Sequence, residues 1–397
     1  MSEWSFSKRA SSFKTLIFSE LAAYKRAKQQ NGASLIDLSI GSPDLGPPSF
    51  IMESLASSVT NPLKFGYTLQ GSTTFNQAVA QYYKKFKVDL NPDQEVIQVT
   101  GSQEGLVHLP MIYAEEGDLI LVPDPGYTAY EAGVLMAGAE VYPMPLIEEA
   151  GFLPNLKAIP ENVAKRAKMM ILNFPGNPVP ALATETFFKE AIQFAKTYNI
   201  LIVHDFAYCE LVFDHYEPIS FLNIDGAKEV GVEFNSLSKS FNMAGCRIGY
   251  VVGNADVIQA LGRLKSNLDY GIFSPIEEAA TLALLHGNTF AAENRRLYQS
   301  RRDVLIKGLR DAGWDVASPK ASMFVWARIP EGWTSKAFAF SLIDKAGVVV
   351  TPGNAFGEHG EGYVRIALVQ PEEILLEACG RIKKALEELT LSPSQKV

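Results

Sequence analysis

The segment EFNSLSKSFNMAGCRIG, residues 233–249, places Lys239 just after an apolar run and Arg247 eight residues further on. Val232 and Phe234 approach the lysine, and Phe241, Met243 and Ala244 follow it, a setting that argues for partial burial. A buried amine needs a partner or a task. Similar polar groups recur where other strand-like runs end. Gly101, Ser102 and Gln103 follow EVIQVT; Tyr127 follows DLILVP; Asn177 follows KMMILNF. Asp205 closes ILIVHD with Tyr208 three residues on, and Ser236 precedes Lys239.

Taken singly, each has a plain structural explanation. A glycine-serine turn caps helices, Tyr127 could belong to a core, and Asp205 could cap a turn. Asn177 before proline is a common turn former, and a lysine can snorkel to the surface. Together they form a set: a helix N-terminus suited to phosphate, an aromatic surface, a carboxylate, neutral hydrogen-bonding groups and an amine. Pyridoxal phosphate asks for that set. Its aldehyde takes a lysine, its ring nitrogen an acid, and its hydroxyl and phosphate need donors.

The elements that must position these groups are legible as an alternation. From about residue 95, short continuous apolar runs alternate with helical patterns such as ETFFKEAIQFAKTYN. That pattern predicts an α/β fold, a mainly parallel sheet covered on both faces, with ligand groups beyond the carboxyl ends of the strands. After residue 285 the character changes. A long charged helix over about 288–313 leads to SMFVWARI, VVVTPG, YVRIALV and a final amphipathic helix from Pro371. This reads as a smaller α+β domain. The expected division is residues 1–46 as an N-terminal arm and part of the small domain, 47–285 as the large cofactor domain, and 286–397 as the small domain. LSPSQKV at the end reads as a loose tail.

Composition bounds the function. A net charge of −8 with pI near 5.4 disfavours general binding to nucleic acid or an anionic membrane. Three cysteines (Cys209, Cys246, Cys379) without a C-x-x-C pair, and five scattered histidines, offer no metal or disulfide framework. The start lacks an uninterrupted apolar stretch, so a cytoplasmic location is the expectation.

The chain resembles the fold type I pyridoxal-phosphate aminotransferases of class I/II over nearly its whole length. The resemblance runs through IDLSIGSPDLGPP, GYTLQGS, GSQEG, VPDPGY, NFPGNP, HDFAYCELVF, SLSKSFNMAGCRIG and YVRIAL. It implies an aspartate aminotransferase-like fold with a seven-stranded, mainly parallel sheet, and transamination between an L-amino acid and a 2-oxo acid by a ping-pong cycle. It further implies that Lys239 forms the Schiff base, Asp205 pairs with the pyridine nitrogen, Tyr208 and Asn177 hold the ring hydroxyl, and Tyr127 stacks on the ring. Gly101, Ser102, Gln103, Ser236 and Arg247 would form the phosphate site. Tyr67 would reach the phosphate of a neighbouring subunit in a homodimer with shared sites. Arg365 would grip the substrate α-carboxylate, with Gly41 and Asn177 beside it; its alternative is an ion pair with a protein carboxylate. One departure is clear: the family usually reads N-P-T-G where this chain has Asn177-Pro178-Val179-Pro180. Relatives in view include aspartate, LL-diaminopimelate and methionine aminotransferases. A β-lyase acting on a sulfur amino acid such as cystathionine and a cofactor-holding regulator are the alternatives. Arg295, Arg296, Arg301 and Arg302 fall on a helix expected to face solvent, so none is assigned to a second substrate carboxylate.

Overall fold

The computed structural model describes residues 17–391 and, before them, residues 4, 5, 7, 9, 10 and 13. From residue 392 on, the expected tail lies outside the described residues. Among the described residues there are twelve strands: β1 Ile36–Asp37, β2 Val96–Val99, β3 Leu119–Asp124, β4 Glu140–Pro145, β5 Ala167–Asn173, β6 Leu201–Asp205, β7 Gly231–Ser236, β8 Gly249–Gly253, β9 Phe324–Arg328, β10 Val348–Val349, β11 Thr351–Pro352 and β12 Tyr363–Ala367. Seven of them form one sheet in the order β2-β8-β7-β6-β5-β3-β4, antiparallel only at β8 against its two neighbours. The mainly parallel α/β sheet is therefore as expected.

The central strands are buried on both faces, which is why they read as continuous apolar runs rather than alternating ones. One face packs around Phe188, Ile202, Phe206 and Phe221, the other around Val99, Tyr130, Val203 and Phe234. The covering helices are built accordingly. In the helix Glu185–Tyr198, Phe187, Phe188, Ala191, Ile192 and Ala195 form one buried stripe. Thr184 caps its start by accepting from the Phe187 N–H at 3.1 Å, and Asn199 ends it at φ 56°. Each fully buried phenylalanine contributes roughly 2–3 kcal/mol of apolar transfer.

The remaining strands form a three-stranded antiparallel sheet, β11-β12-β9, and a parallel pair, β1-β10. They pack with the helices Asn288–Asp311, Ser335–Ala346 and Glu372–Leu391 around a second core. The stretch after β6 is shared between the two cores. Phe206 and Cys209 join the first, whereas Ala207, Tyr208, Leu211 and Phe213 join the second.

One expectation is corrected here. The helix Asn288–Asp311 does not turn its arginines uniformly to solvent. Arg301 and Arg302 are buried at 3% exposure each. Arg301 makes a two-pronged pair with Asp44 at 2.7 and 2.8 Å, and Arg302 does the same with Asp214 at 2.6 and 2.8 Å. Arg295 donates to the Glu210 carbonyl at 2.8 Å, and Arg296 stays exposed. The planar guanidinium fork suits these paired carboxylates and allows burial. A charge count along the sequence gives no sign of partners so far away.

Candidate active site

A cavity of about 730 Å³ opens beyond the carboxyl ends of the parallel strands, against residues of the second core. Its wall brings together Ser102, Gln103, Tyr127, Asn177, Asp205, Tyr208, Ser236, Lys239 and Arg247, read from the sequence at or just past strand ends, with Gly41 and Arg365, which only the resemblance implied.

Asp205 ends β6 and is 4% exposed. Burial pushes its carboxyl up, opposed by the Tyr130 hydroxyl, which donates to Oδ2 at 2.7 Å, and by the Ala207 N–H at 3.2 Å from Oδ1. No salt bridge reaches it among the described residues, so on the cavity side this buried acid has no counter-charge. The Asn173 amide donates to the Asp205 carbonyl at 2.8 Å, and its own carbonyl accepts from the Asn177 N–H at 2.8 Å. Asn173 thereby ties the two loops together.

Lys239 lies in the short helix Leu237–Ser240 after β7, with Ser236 as the cap that accepts from the Ser238 N–H at 3.2 Å. Its Nζ donates to the Gly41 carbonyl at 2.5 Å. Burial, then the charges of Arg365 and Arg247, push this amine down to about 8. Gly41 has no room for a side chain, because a Cβ would stand 2.8 Å from Phe324 Cζ.

The helix Ser102–Tyr113 points its N-terminus at the same cavity. Gly101 precedes it at φ +75°, and a Cβ there would stand 2.5 Å from an Arg247 terminal nitrogen. The glycine lets the guanidinium lie against the helix start, combining a cation with free N–H groups in an anion cradle.

Arg365 comes from β12 and is 5% exposed. It donates to Asn177 Oδ1 at 2.7 Å and to the Ser39 carbonyl at 2.6 Å, and its Nε has no partner among the described residues. The rings of Phe324 and Phe356 lie 4.2 and 4.7 Å from the guanidinium carbon. Burial pulls it down to about 10. Tyr127 meets Tyr130 edge-on at 5.7 Å, and Tyr208 meets Phe324 edge-on at 5.8 Å. Burial pushes both cavity phenols up. The departure at Val179-Pro180 has a packing explanation: Val179 is buried with Leu146, Trp326 and Phe356.

Tyr67 is not in this cavity. It is 90% exposed and meets Tyr270 edge-on at 6.0 Å in a surface cleft with Phe65 and Phe273.

Three participants were missed in the sequence. Tyr130 follows Tyr127 by three residues at a helix start, a readable same-face signal. Asn173 carried no signal beyond ending a strand. Lys25 lines the cavity from the helix Ile17–Gln30, paired with Asp37 at 2.5 Å. Its spacing from Phe18, Leu21 and Ala22, which line the same cavity, is that of one helical face.

The donor set fits pyridoxal phosphate: an unpaired buried acid, a depressed amine, an aromatic wall and an anion cradle in one cavity. Comparisons with known proteins agree. The profile of the family "Aminotransferase class I and II" matches residues 33–382. LL-diaminopimelate aminotransferase of Moorella thermoacetica is 47% identical over 360 residues, covering 90% of this chain and 92% of that protein. The enzyme of the same name from Halothermothrix orenii is 44% identical, covering 93% and 95%. Substrate-bound BacF from Bacillus subtilis superposes with a TM-score of 0.92 at 38% identity, covering 96% and 98%. A single mutant of Thermus thermophilus aspartate aminotransferase gives 0.90 at 25% identity, covering 96% and 100%.

Proposed function

The chain belongs to the class I and II aminotransferase family, and from that premise we propose that its amino donor is LL-diaminopimelate and its acceptor a 2-oxo acid. The protein is a pyridoxal-phosphate-dependent aminotransferase with the aspartate aminotransferase-like fold. The relatives carry aminotransferase names, and neither the β-lyase nor the regulator reading gains support from them.

Bound pyridoxal phosphate supplies an aldehyde that accepts amino groups and an electron-withdrawing ring that stabilises negative charge at the substrate α-carbon. The chain's own residues do the rest. Lys239 presents an amine that burial pushes down to about 8, so it would hold the aldehyde carbon and could move a proton at the substrate α-carbon. Asp205 would hold the ring nitrogen and, by its charge, favour a proton there. Tyr208 and Asn177 would hydrogen-bond the ring hydroxyl, and Tyr127 would cover a ring face. Gly101, Ser102, Gln103, Ser236 and Arg247 receive the phosphate. Arg365 binds the α-carboxylate beside Gly41 and Asn177. The observation that carries the reading is Arg365 itself, a buried guanidinium with neutral partners only, facing the same cavity as Lys239.

The donor is inferred from the relatives' names together with Lys25. A donor with a second amino-acid head needs a charged contact away from Arg365. Lys25 is a cation in the cavity wall, and Asp37 beside it is an anion. A homodimer completes the site in this reading, with Tyr67 reaching the partner's phosphate. Leu63, Phe65, Tyr67 and Leu69, 88, 64, 90 and 66% exposed, form an apolar rim that a second copy would cover. No helix among the described residues is long and apolar enough to cross a membrane; a cytoplasmic location is part of the proposal.

The test is a panel of amino donors against 2-oxoglutarate and pyruvate, followed through the cofactor spectrum. LL-diaminopimelate should give the highest kcat/KM. A faster aspartate or methionine reaction would overturn the assigned donor, and ammonia release without any acceptor would favour the lyase.

A further inference from the structure

His204 immediately precedes Asp205 on β6, so the two side chains lie on opposite faces of the sheet. The Asp205 carboxylate faces Tyr130, whereas the His204 ring packs among Phe188, Phe206 and Phe221. His204 is fully buried, and so is Glu233, its direct register partner on β7. Neither belongs to the cofactor set described above.

The hydrogen-bond inventory of the ring constrains its protons. His204 Nε2 stands 3.0 Å from the Phe174 carbonyl oxygen, which only accepts, so Nε2 carries a hydrogen. Nδ1 stands 2.8 Å from Glu233 Oε2. Glu233 also accepts from the Ser220 hydroxyl at 2.9 Å and from the Phe221 N–H at 2.9 Å. A carboxylate gathering this many donors is favoured as the anion. With Glu233 as the anion, the short contact would draw its proton from Nδ1. Tyr83 from the helix Thr73–Tyr83, Tyr250 from β8 and Cys209 also couple to Glu233, and burial pushes all three up, so they stay neutral. Lys85, which couples to Cys209, is paired with Glu210.

The contacts join three strand ends. Glu233 sits on β7, His204 on β6, and Phe174 opens the loop from β5 that carries Asn177. The residues that follow on those strands are Asn177, Asp205 and Ser236–Lys239. We propose that His204, as an imidazolium paired with Glu233, is a positioning residue: it clasps the ends of β5, β6 and β7 and holds a positive charge behind Asp205. That charge offsets part of what burial does to the Asp205 carboxyl. The carboxylate then stays available to a protonated ring nitrogen. A buried ion pair is a costly way to hold strands together, and a neutral amide would serve for shape alone. The inference rests on the reading of Asp205 as the ring-nitrogen partner.

The test begins with the cofactor-free protein carrying ¹⁵N-labelled histidine, at pH 7.5, with the His204 signals assigned by their loss in His204→Gln. Both ring nitrogens should resonate as protonated; one bare nitrogen overturns the proposal. Glu233→Gln then keeps an acceptor for Ser220 and Phe221 while offering an N–H to Nδ1, which leaves the ring neutral. In that variant Nδ1 should lose its proton, and pyridoxal phosphate should dissociate about threefold or more readily, with the larger loss at the acid end of the pH range. A neutral His204 with unchanged cofactor affinity at every pH overturns the electrostatic role. Failure of the native protein to take up pyridoxal phosphate would instead strike the reading of the site, which the ring protonation does not test.

Discussion

Arg365 donates to Asn177 Oδ1 at 2.7 Å and meets no carboxylate among the described residues. A buried guanidinium satisfied only by neutral acceptors leaves part of its charge and its Nε uncompensated. A substrate carboxylate would supply both, through two parallel hydrogen bonds that lysine cannot reproduce. Arg365→Lys should raise KM for every α-amino acid by about tenfold or more, equivalent to ~1.4 kcal/mol, with cofactor affinity unchanged. Amines that lack a carboxylate should show no such handicap; an equal loss for them would make Arg365 structural.

Lys239 has a consequence for stability with a definite sign. Burial, then the charges of Arg365 and Arg247, push its amine from an ordinary 10.5 down to about 8 in the folded protein. Between those values the unfolded chain binds more protons, so this residue makes stability rise with pH there. Below pH 8 the folded amine is charged, and the burial penalty is fully present. Lys239→Met should stabilise the cofactor-free protein at pH 7 by roughly 1–2 kcal/mol, the gap closing toward pH 10.5. Urea titrations across that range would detect it, and no gain at pH 7 would contradict the assignment. The same variant should lose nearly all turnover.

Asp205→Ala should leave the fold intact and cut the rate severely. A loss below about tenfold, ~1.4 kcal/mol of transition-state stabilisation, would show that the carboxylate only caps the loop. Tyr130→Phe removes one donor from Oδ2 without removing the acid. Since that donor holds the carboxyl down, its loss should move the acid limb of the pH profile to higher pH. An unmoved limb would assign Tyr130 to packing alone.

Tyr67 concerns assembly. Tyr67→Phe should weaken cofactor retention, measured by dialysis against phosphate, without changing the secondary structure. Sedimentation should find a dimer. A fully active monomer would remove this role.

Lys25 concerns selectivity. Lys25→Met should lower kcat/KM for LL-diaminopimelate by about tenfold while leaving alanine or another short donor within about twofold. Parallel losses for both donors would mean that Lys25 only seats its helix.

The sequence was most readable where a local pattern determined the outcome. Continuous apolar runs specified the parallel strands, and groups at their ends fell into one cavity because such sheets collect ligands there. Arg365 and its neighbour Asn177 were legible through the resemblance, but not its bond to Ser39, which lies 326 positions away. The burial of Arg301 and Arg302 depends likewise on Asp44 and Asp214, which local periodicity does not register. Lys25 could have been found from its place on the apolar face of its helix. Its pairing with Asp37 required the tertiary structure.

The division of the stretch after β6 between two cores bears on the order of folding. Phe206 and Cys209 are held by the sheet's core, and Ala207, Tyr208, Leu211 and Phe213 by the other. Tyr208 takes its place against Phe324 of the other core, a contact distant in sequence, so it should be set beside Asp205 only once the two cores have met. Contacts this distant in sequence form late, because chain closure precedes their reward. In refolding from urea, helical signal should return before the ability to capture pyridoxal phosphate. The cofactor's absorbance would then serve as a clock for docking, a step that a backbone signal alone passes over.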